Sequence, residues 1–495
     1  MKFTDLGTYY IDLAQKISSF ATAPSLWKTD IDAFISQSSA DMSTDDLLQL
    51  VNHAQDLEKI FIAGLENNQN FYDEVHKMKR LQWRDYTAPP AAIDLQYSLA
   101  EKLYNADASK GDVAIITLSN GARHIGVWLL ERAVSDRLNF SIDFTEPDFS
   151  ALLFNHTDMA GVTRLANHFL EKTKRVNKRI VAASGQPTLS QFEADEDKKR
   201  AYAHATSSFG ERVRSGDVFF TLTVIPTEKD AEIDGIDYQE YTKLFFEMCD
   251  QPWDAISLAQ QQLILELNAG KHLRFTNNDG TDIEMNIDGF TFCNSLIAKN
   301  VPGSEVFSAP HRDSVNGIIV AKGRFSPPHD KGEVIENLTL EFKNGRLVSY
   351  RAEKGLEAFE NEINLDEGAR WIGEVGIGTN PYLKTHVANG LLVEKIGGSF
   401  HLALGACYTM KEYQGVPVNV DNGNQSTVHW DVTTMLHGKE GRIYIDGRMI
   451  MDDGKFIDAK YDVLNRGWAA IERNDRPDYW RDRKDTSFSP KSPAP

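Results

Sequence analysis

The chain of 495 residues carries 41% hydrophobic and 25% charged residues, the profile of a water-soluble globular protein, and it exceeds what one compact core usually organises, so two or three domains are expected. A formal net charge of -19 sets the chain against polyanions, which excludes nucleic acid and anionic membrane surfaces as favoured partners. Cys249, Cys293 and Cys407 lie too far apart for a thiolate metal site or a disulfide framework and fit a reducing compartment.

The first residues, M-K-F-T-D-L-G-T-Y-Y-I-D-L-A-Q-K, place acids among the apolar positions and read as an amphipathic helix rather than a signal peptide. No run of about 18 apolar residues follows anywhere, so no membrane span is expected and the location is read as cytoplasmic. Residues 1–85 keep apolar positions at helical spacing, with S-T-D-D as a helix start, and A-P-P-A-A ends that pattern. This segment is expected to be a helical N-terminal extension.

From about residue 95 strands alternate with helices. D-V-A-I-I-T-L, the helical I-G-V-W-L-L-E-R-A-V, F-S-I-D-F, R-I-V-A-A-S-G and G-D-V-F-F-T-L-T-V-I-P predict an N-terminal α/β domain with a largely parallel sheet over 86–267. The loop L-S-N-G-A-R-H-I-G lacks both the G-x-G-x-x-G spacing and the P-loop lysine, which argues against a nucleotide site. Beyond residue 268 the texture turns to β in H-L-R-F-T and T-D-I-E-M-N-I-D, and K-N-G between two alternating runs predicts a hairpin. A C-terminal α+β domain is therefore expected over 268–478, followed by a loosely ordered tail at 479–495 rich in charge and then in Pro and Ser.

The chemistry-bearing residues gather in this second domain. Glu305 opens the short apolar V-F-S run after N-V-P-G-S, and Glu374 is embedded in R-W-I-G-E-V-G-I-G-T-N-P, where an ionised carboxylate is costly unless paired or bound to a metal. In S-T-V-H-W-D-V, His429 and Asp431 are two apart, so on a strand both project from one face. The stretch E-K-I-G-G-S-F-H-L-A-L-G-A-C-Y spaces Glu394, His401 and Tyr408 at intervals of seven; Gly397 and Gly398 argue against one continuous helix, so the first interval is read as a turn and the second as a strand. Each residue alone has a plainer reading: a strand acid facing water, a hydrogen-bonded core histidine, a packed tyrosine. Together, four carboxylates and two histidines without thiolate match the inventory of a two-metal hydrolytic site and suit zinc, cobalt, manganese or magnesium. His311, Arg312 and Asp313 in P-H-R-D are read as a salt-bridged turn or as lining of a substrate cavity, and His329, His386 and His437 as loop or surface histidines.

In this order, N-V-P-G-S-E-V-F-S-A-P, G-E-V-G-I-G-T-N, E-K-I-G-G-S-F-H-L-A-L-G and H-W-D resemble the aminopeptidase T family of metallopeptidases, family M29, over roughly residues 100–470. The resemblance implies a two-domain α/β protein with a dinuclear metal site in its C-terminal domain, and a homodimer that encloses the active sites. It implies removal of single N-terminal residues from peptides, leucine and other apolar residues among them. It places metal ligands at Glu305, Glu374, Glu394, His401, His429 and Asp431, and the catalytic tyrosine at Tyr408; Glu374 is the preferred bridging ligand, and the general base is Glu374 or Glu305. The chain departs from the family at E-K-I-G-G-S-F-H, where the family commonly has D-E-N-A-x-x-H, and in its N-terminal extension. Two other readings stand beside this one: a metal-dependent amidohydrolase acting on small acyl-amino compounds, and a non-catalytic dimeric protein that keeps the fold. Retention of all six ligand types counts against the latter.

Overall fold

A computed structural model describes residues 93–483 apart from 120–121, 146–152, 156, 185–194, 297–298 and 329–332. The expected helical extension at 1–85 and His329 lie outside the described residues. Two compact units divide between Lys229 and Asp230.

The first unit is built on four parallel strands, β1 (Val113–Ser119), β2 (Asn139–Thr145), β3 (Lys178–Ser184) and β4 (Phe219–Ile225), in the order β2-β1-β3-β4. Parallel neighbours need crossovers: helix Arg123–Ser135 lies between β1 and β2, Met159–Thr173 between β2 and β3, and Glu196–Ala205 with Ser207–Ser215 between β3 and β4. The apolar runs seen in the sequence are these strands; the two central ones, β1 and β3, are buried through their middles.

The second unit is β-rich. An eight-stranded antiparallel sheet runs in the order β11-β10-β9-β6-β5-β17-β18-β19. Its strands are β5 (His272–Thr276), β6 (Asp282–Asn286), β9 (Asn316–Phe325), β10 (Ile335–Lys343), β11 (Arg346–Lys354), β17 (Arg442–Ile445), β18 (Arg448–Asp452) and β19 (Lys455–Phe456). A five-stranded antiparallel sheet, β16-β13-β12-β8-β7, is formed by β7 (Cys293–Ser295), β8 (Glu305–Ser308), β12 (Ile372–Gly378), β13 (Ser399–Gly405) and β16 (His429–Met435), and β14 (Glu412–Tyr413) pairs separately with β15 (Val416–Pro417). One core joins the two sheets, with Phe275 of β5 stacked on Phe400 of β13 at 4.0 Å between ring centres. The K-N-G hairpin joins β10 to β11: Asn344 and Gly345 have φ of 48° and 79°, as a two-residue turn of the right twist requires.

The division falls earlier than the change of texture at 268. Helix Trp253–Ala269 buries Ile256, Leu263 and Leu267 in the core of the β-rich unit, so the helical stretch before 268 belongs with the strands that follow it. Residues 479–483, expected to open the loosely ordered tail, are packed. Trp480 is fully buried, and the buried Glu247 carboxylate accepts hydrogen bonds from Tyr479 (2.5 Å), Arg483 (2.6 Å) and the Tyr382 hydroxyl. Arg483→Ala leaves that buried charge with its two phenol donors and, as cation, only the largely exposed Lys243 at 4.0 Å. A loss of about 2 kcal/mol is expected in denaturant unfolding, below the full penalty of a broken buried pair because Arg483 is itself part-exposed.

Candidate metal centre

The five-stranded sheet has two unlike faces because side chains alternate along each strand. Val306, Val375, Ile377, Phe400, Leu402, Leu404, Trp430 and Val432 face the core. The opposite face carries the acids and imidazoles. Register fixes their neighbourhood: Glu305 pairs with Gly378, Gly376 with His401, Glu374 with Ala403, and Ala403 with Asp431. Charged side chains thus alternate with glycines and an alanine, which leaves room above the sheet. A Cβ placed on Gly376 would lie 2.1 Å from His401 Nε2, so the imidazole lies directly over that glycine.

Two groups of three ligand-type side chains result, Glu305, Glu394 and His401 in one and Glu374, His429 and Asp431 in the other, with ligand atoms within 4.8 Å of one another in each. Glu374 connects them: Oε1 is 3.5 Å from His401 Nε2, and Oε2 is 3.3 Å from His429 Nε2. His401 Nε2 also lies 3.4 Å from Glu305 Oε2 and 3.9 Å from Asp431 Oδ1. His429 Nδ1 donates to the Ala406 carbonyl at 2.8 Å, which fixes the ring and turns Nε2 towards the carboxylates.

Glu394 comes from a different kind of element. It follows the one-turn helix Gly390–Val393, and the chain then turns through Gly397 and Gly398 into β13. The turn and strand expected for the two intervals of seven are both present. Tyr408 lies three residues past the end of β13, 5.5 Å from the His429 ring and 5.4 Å from Phe307, with 42% of its surface exposed.

The donor set fits divalent ions. Among the described residues, the buried Glu305 Oε2, Glu374 Oε2 and Asp431 Oδ1 have no hydrogen-bond partner, an arrangement that is costly unless a cation completes it. The charges of these side chains polarise one another. Burial works against an imidazolium at His401 and His429, but Glu374 and Asp431 outweigh it and push their pKa values up to about 9 and about 10. Burial raises Glu394 and Asp431, whereas the two imidazoles overcome burial at Glu374 and hold it below the usual carboxylate range. The carboxylates, Glu374 foremost, and then burial keep the Tyr408 phenol well above its ordinary value, so it remains a hydrogen-bond donor at neutral pH.

His311 and Arg312 have other contacts. His311 Nε2 bonds the Asp288 carbonyl at 2.9 Å, its ring meets Phe290 edge-on, and the Arg312 guanidinium lies 4.2 Å from the centre of the Trp371 ring. His386 is a loop histidine, half-buried against Gly323 and Phe325, and burial lowers its pKa to about 4.

One residue of the site is unforeseen. Lys395 is fully buried, and its ammonium donates to Glu305 and to Glu394, 2.5 Å to each. Burial would discharge it, but the two carboxylates hold its pKa above the usual lysine range. In the sequence it reads as one half of an ordinary Glu-Lys neighbour pair. Gly376 did leave a trace, since G-E-V-G-I-G places small residues on one face of a strand whose other face is Val and Ile.

Comparison with known proteins agrees with this architecture. Residues 100–456 match the family described as thermophilic metalloprotease (M29). Aminopeptidase T of Thermus thermophilus is 26% identical over 380 residues, covering 70% of this chain and 85% of that protein. Aminopeptidase 2 of Geobacillus stearothermophilus is 36% identical over 173 residues, 32% of this chain and 37% of that protein. Among solved structures, wild-type AmpT from Thermus thermophilus superposes with a TM-score of 0.59 at 23% identity, over 74% of this chain and 99% of that one, and so shares its fold. With the family matched over most of its length and a carboxylate–imidazole cluster on the matched strands, the chain belongs to the M29 metalloproteases and is a metal-dependent hydrolase of peptide bonds.

Proposed function

We propose that the chain is an aminopeptidase that releases single N-terminal residues, leucine and other apolar ones among them, from peptides, with Glu305, Glu374, Glu394, His401, His429 and Asp431 holding two divalent ions per subunit. The observation that carries this reading is the pair of three-residue groups joined by Glu374, one carboxylate oxygen towards each histidine. Divalent ions bound there, whether zinc, cobalt, manganese or magnesium, would polarise the scissile carbonyl and acidify a water. The protein's own groups do the rest. A glutamate of the cluster, Glu374 or Glu305, takes the proton of the attacking water; each has an unpartnered Oε2. Tyr408 donates a hydrogen bond to the oxygen on which charge develops. The carboxylates attract the substrate's free α-ammonium, which would limit cleavage to the N-terminus. The relatives named as aminopeptidases support the same activity. The reading extends to a cytoplasmic homodimer.

The test is a chelated and metal-reconstituted sample on leucyl and other aminoacyl chromogenic amides, compared with the same amides blocked at nitrogen. Cleavage is expected only of the free amines after metal is restored; equal cleavage of blocked substrates would reject the aminopeptidase reading. For Tyr408→Phe, kcat should fall about 10²–10³-fold with KM nearly unchanged, the mark of a donor that acts mainly in the transition state. An unchanged kcat would remove Tyr408 from the mechanism.

A further inference from the structure

The two ligand groups are unequal. Lys395 places its ammonium 2.5 Å from Glu305 Oε1 and 2.5 Å from Glu394 Oε1, between two of the three side chains of the first group. Among the described residues, no lysine or arginine forms an ion pair with Glu374 or Asp431 of the second group. Lys395 is also held by its backbone: its N–H donates to the Leu392 carbonyl at 3.1 Å, and its own carbonyl accepts from Asn380 N–H at 2.8 Å. The next residues tie the same turn down, since Ile396 bridges to Asn380 and Gly397 N–H donates to the Asn380 carbonyl. The ammonium is therefore delivered to the carboxylates by a fixed turn, with its side chain fully enclosed.

We propose that Lys395 is a resident cation in the Glu305/Glu394/His401 group, so that the two groups fill in order: a divalent ion binds tightly to Glu374, His429 and Asp431, and a second enters only by displacing the Lys395 ammonium. This rests on reading the six residues as metal ligands. Charge gives the direction. Each group has two carboxylates and one imidazole, but only the first also holds an ammonium, in hydrogen-bond contact with both of its carboxylates. A divalent ion entering the first group gains less attraction, and it leaves a buried ammonium to be rehoused.

The experiment is metal titration of the stripped full-length protein with Co²⁺ by equilibrium dialysis and metal analysis, with Mn²⁺ and electron paramagnetic resonance as a second readout. The wild-type chain should take up one ion tightly and a second at roughly a hundredfold or more higher free metal. At one equivalent the Mn²⁺ spectrum should lack the signature of a coupled pair. Lys395→Met should bind two ions with affinities within about tenfold of one another, on the same argument. If that variant does not fold, two others decide: Glu394→Gln should keep the tight ion, and Asp431→Asn should lose it. Two equally tight ions in the wild-type chain, a folded Lys395→Met chain that still takes one, or loss of the tight ion in Glu394→Gln would overturn the proposal. The first and second of these would leave the aminopeptidase reading standing. Failure of the wild-type chain to bind any ion would overturn both.

Discussion

Gly376→Ala should yield a folded protein that loses the ion of the Glu305, Glu394 and His401 group, keeps the tighter one at Glu374, His429 and Asp431, and falls in kcat/KM by at least about a hundredfold, the scale set by moving a catalytic group about 1 Å. The reason is local. Gly376 on β12 pairs with His401 on β13, and the added methyl carbon would sit 2.1 Å from Nε2 and 2.2 Å from Cε1 of the imidazole. His401 is fully enclosed, so its ring can yield only by leaving its place beside Glu305 and Glu374. The β12 backbone itself is ordinary at this position, with no left-handed φ to disturb, so circular dichroism should stay close to that of the parent. Metal analysis together with turnover of an aminoacyl amide checks this. Full metal and full activity in the alanine variant would mean that the imidazole does not lie over the glycine.

His429→Ala and Asp431→Ala should each reduce bound metal to background and turnover to below about a thousandth of the parent, about 4 kcal/mol of transition-state stabilisation. Both side chains come from β16 and face the site together, because residues two apart on a strand share a face. His429 faces one oxygen of Glu374 and is locked by its bond to the Ala406 carbonyl. Both residues are half-buried, so their truncation should spare the fold. Unfolding curves separate loss of site from loss of structure, and full activity in either variant would sink the assignment of these residues.

Much of this was readable because it is local. Strand β5 is the H-L-R-F-T run itself, and the positive φ values of Asn344 and Gly345 are what K-N-G announces. The projection of His429 and Asp431 from one face follows from a spacing of two. What was not readable depends on pairing across long stretches of chain. The placing of Glu305, Glu374, His401, His429 and Asp431 in two groups is set by the register of β8, β12, β13 and β16, which no window of sequence contains, and Glu394 joins them from the turn before β13. Lys395 was invisible because its partner Glu305 lies ninety positions earlier, and only the turn held at Asn380 carries the ammonium there. The unit boundary is hidden for a similar reason: the apolar side of helix Trp253–Ala269 is legible, but the sheet that covers it is not.

The alternation along β13 also ties the quality of folding to activity. A slip of one residue against β12 would turn His401 into the hydrocarbon layer where Phe400 stacks on Phe275, and would put leucines in place of the ligands. Such a chain would be both less stable and inert, since the same error that buries a polar ring dismantles the catalytic face. Counting active sites in a preparation should therefore count its correctly folded molecules, and specific activity becomes a direct measure of refolding yield.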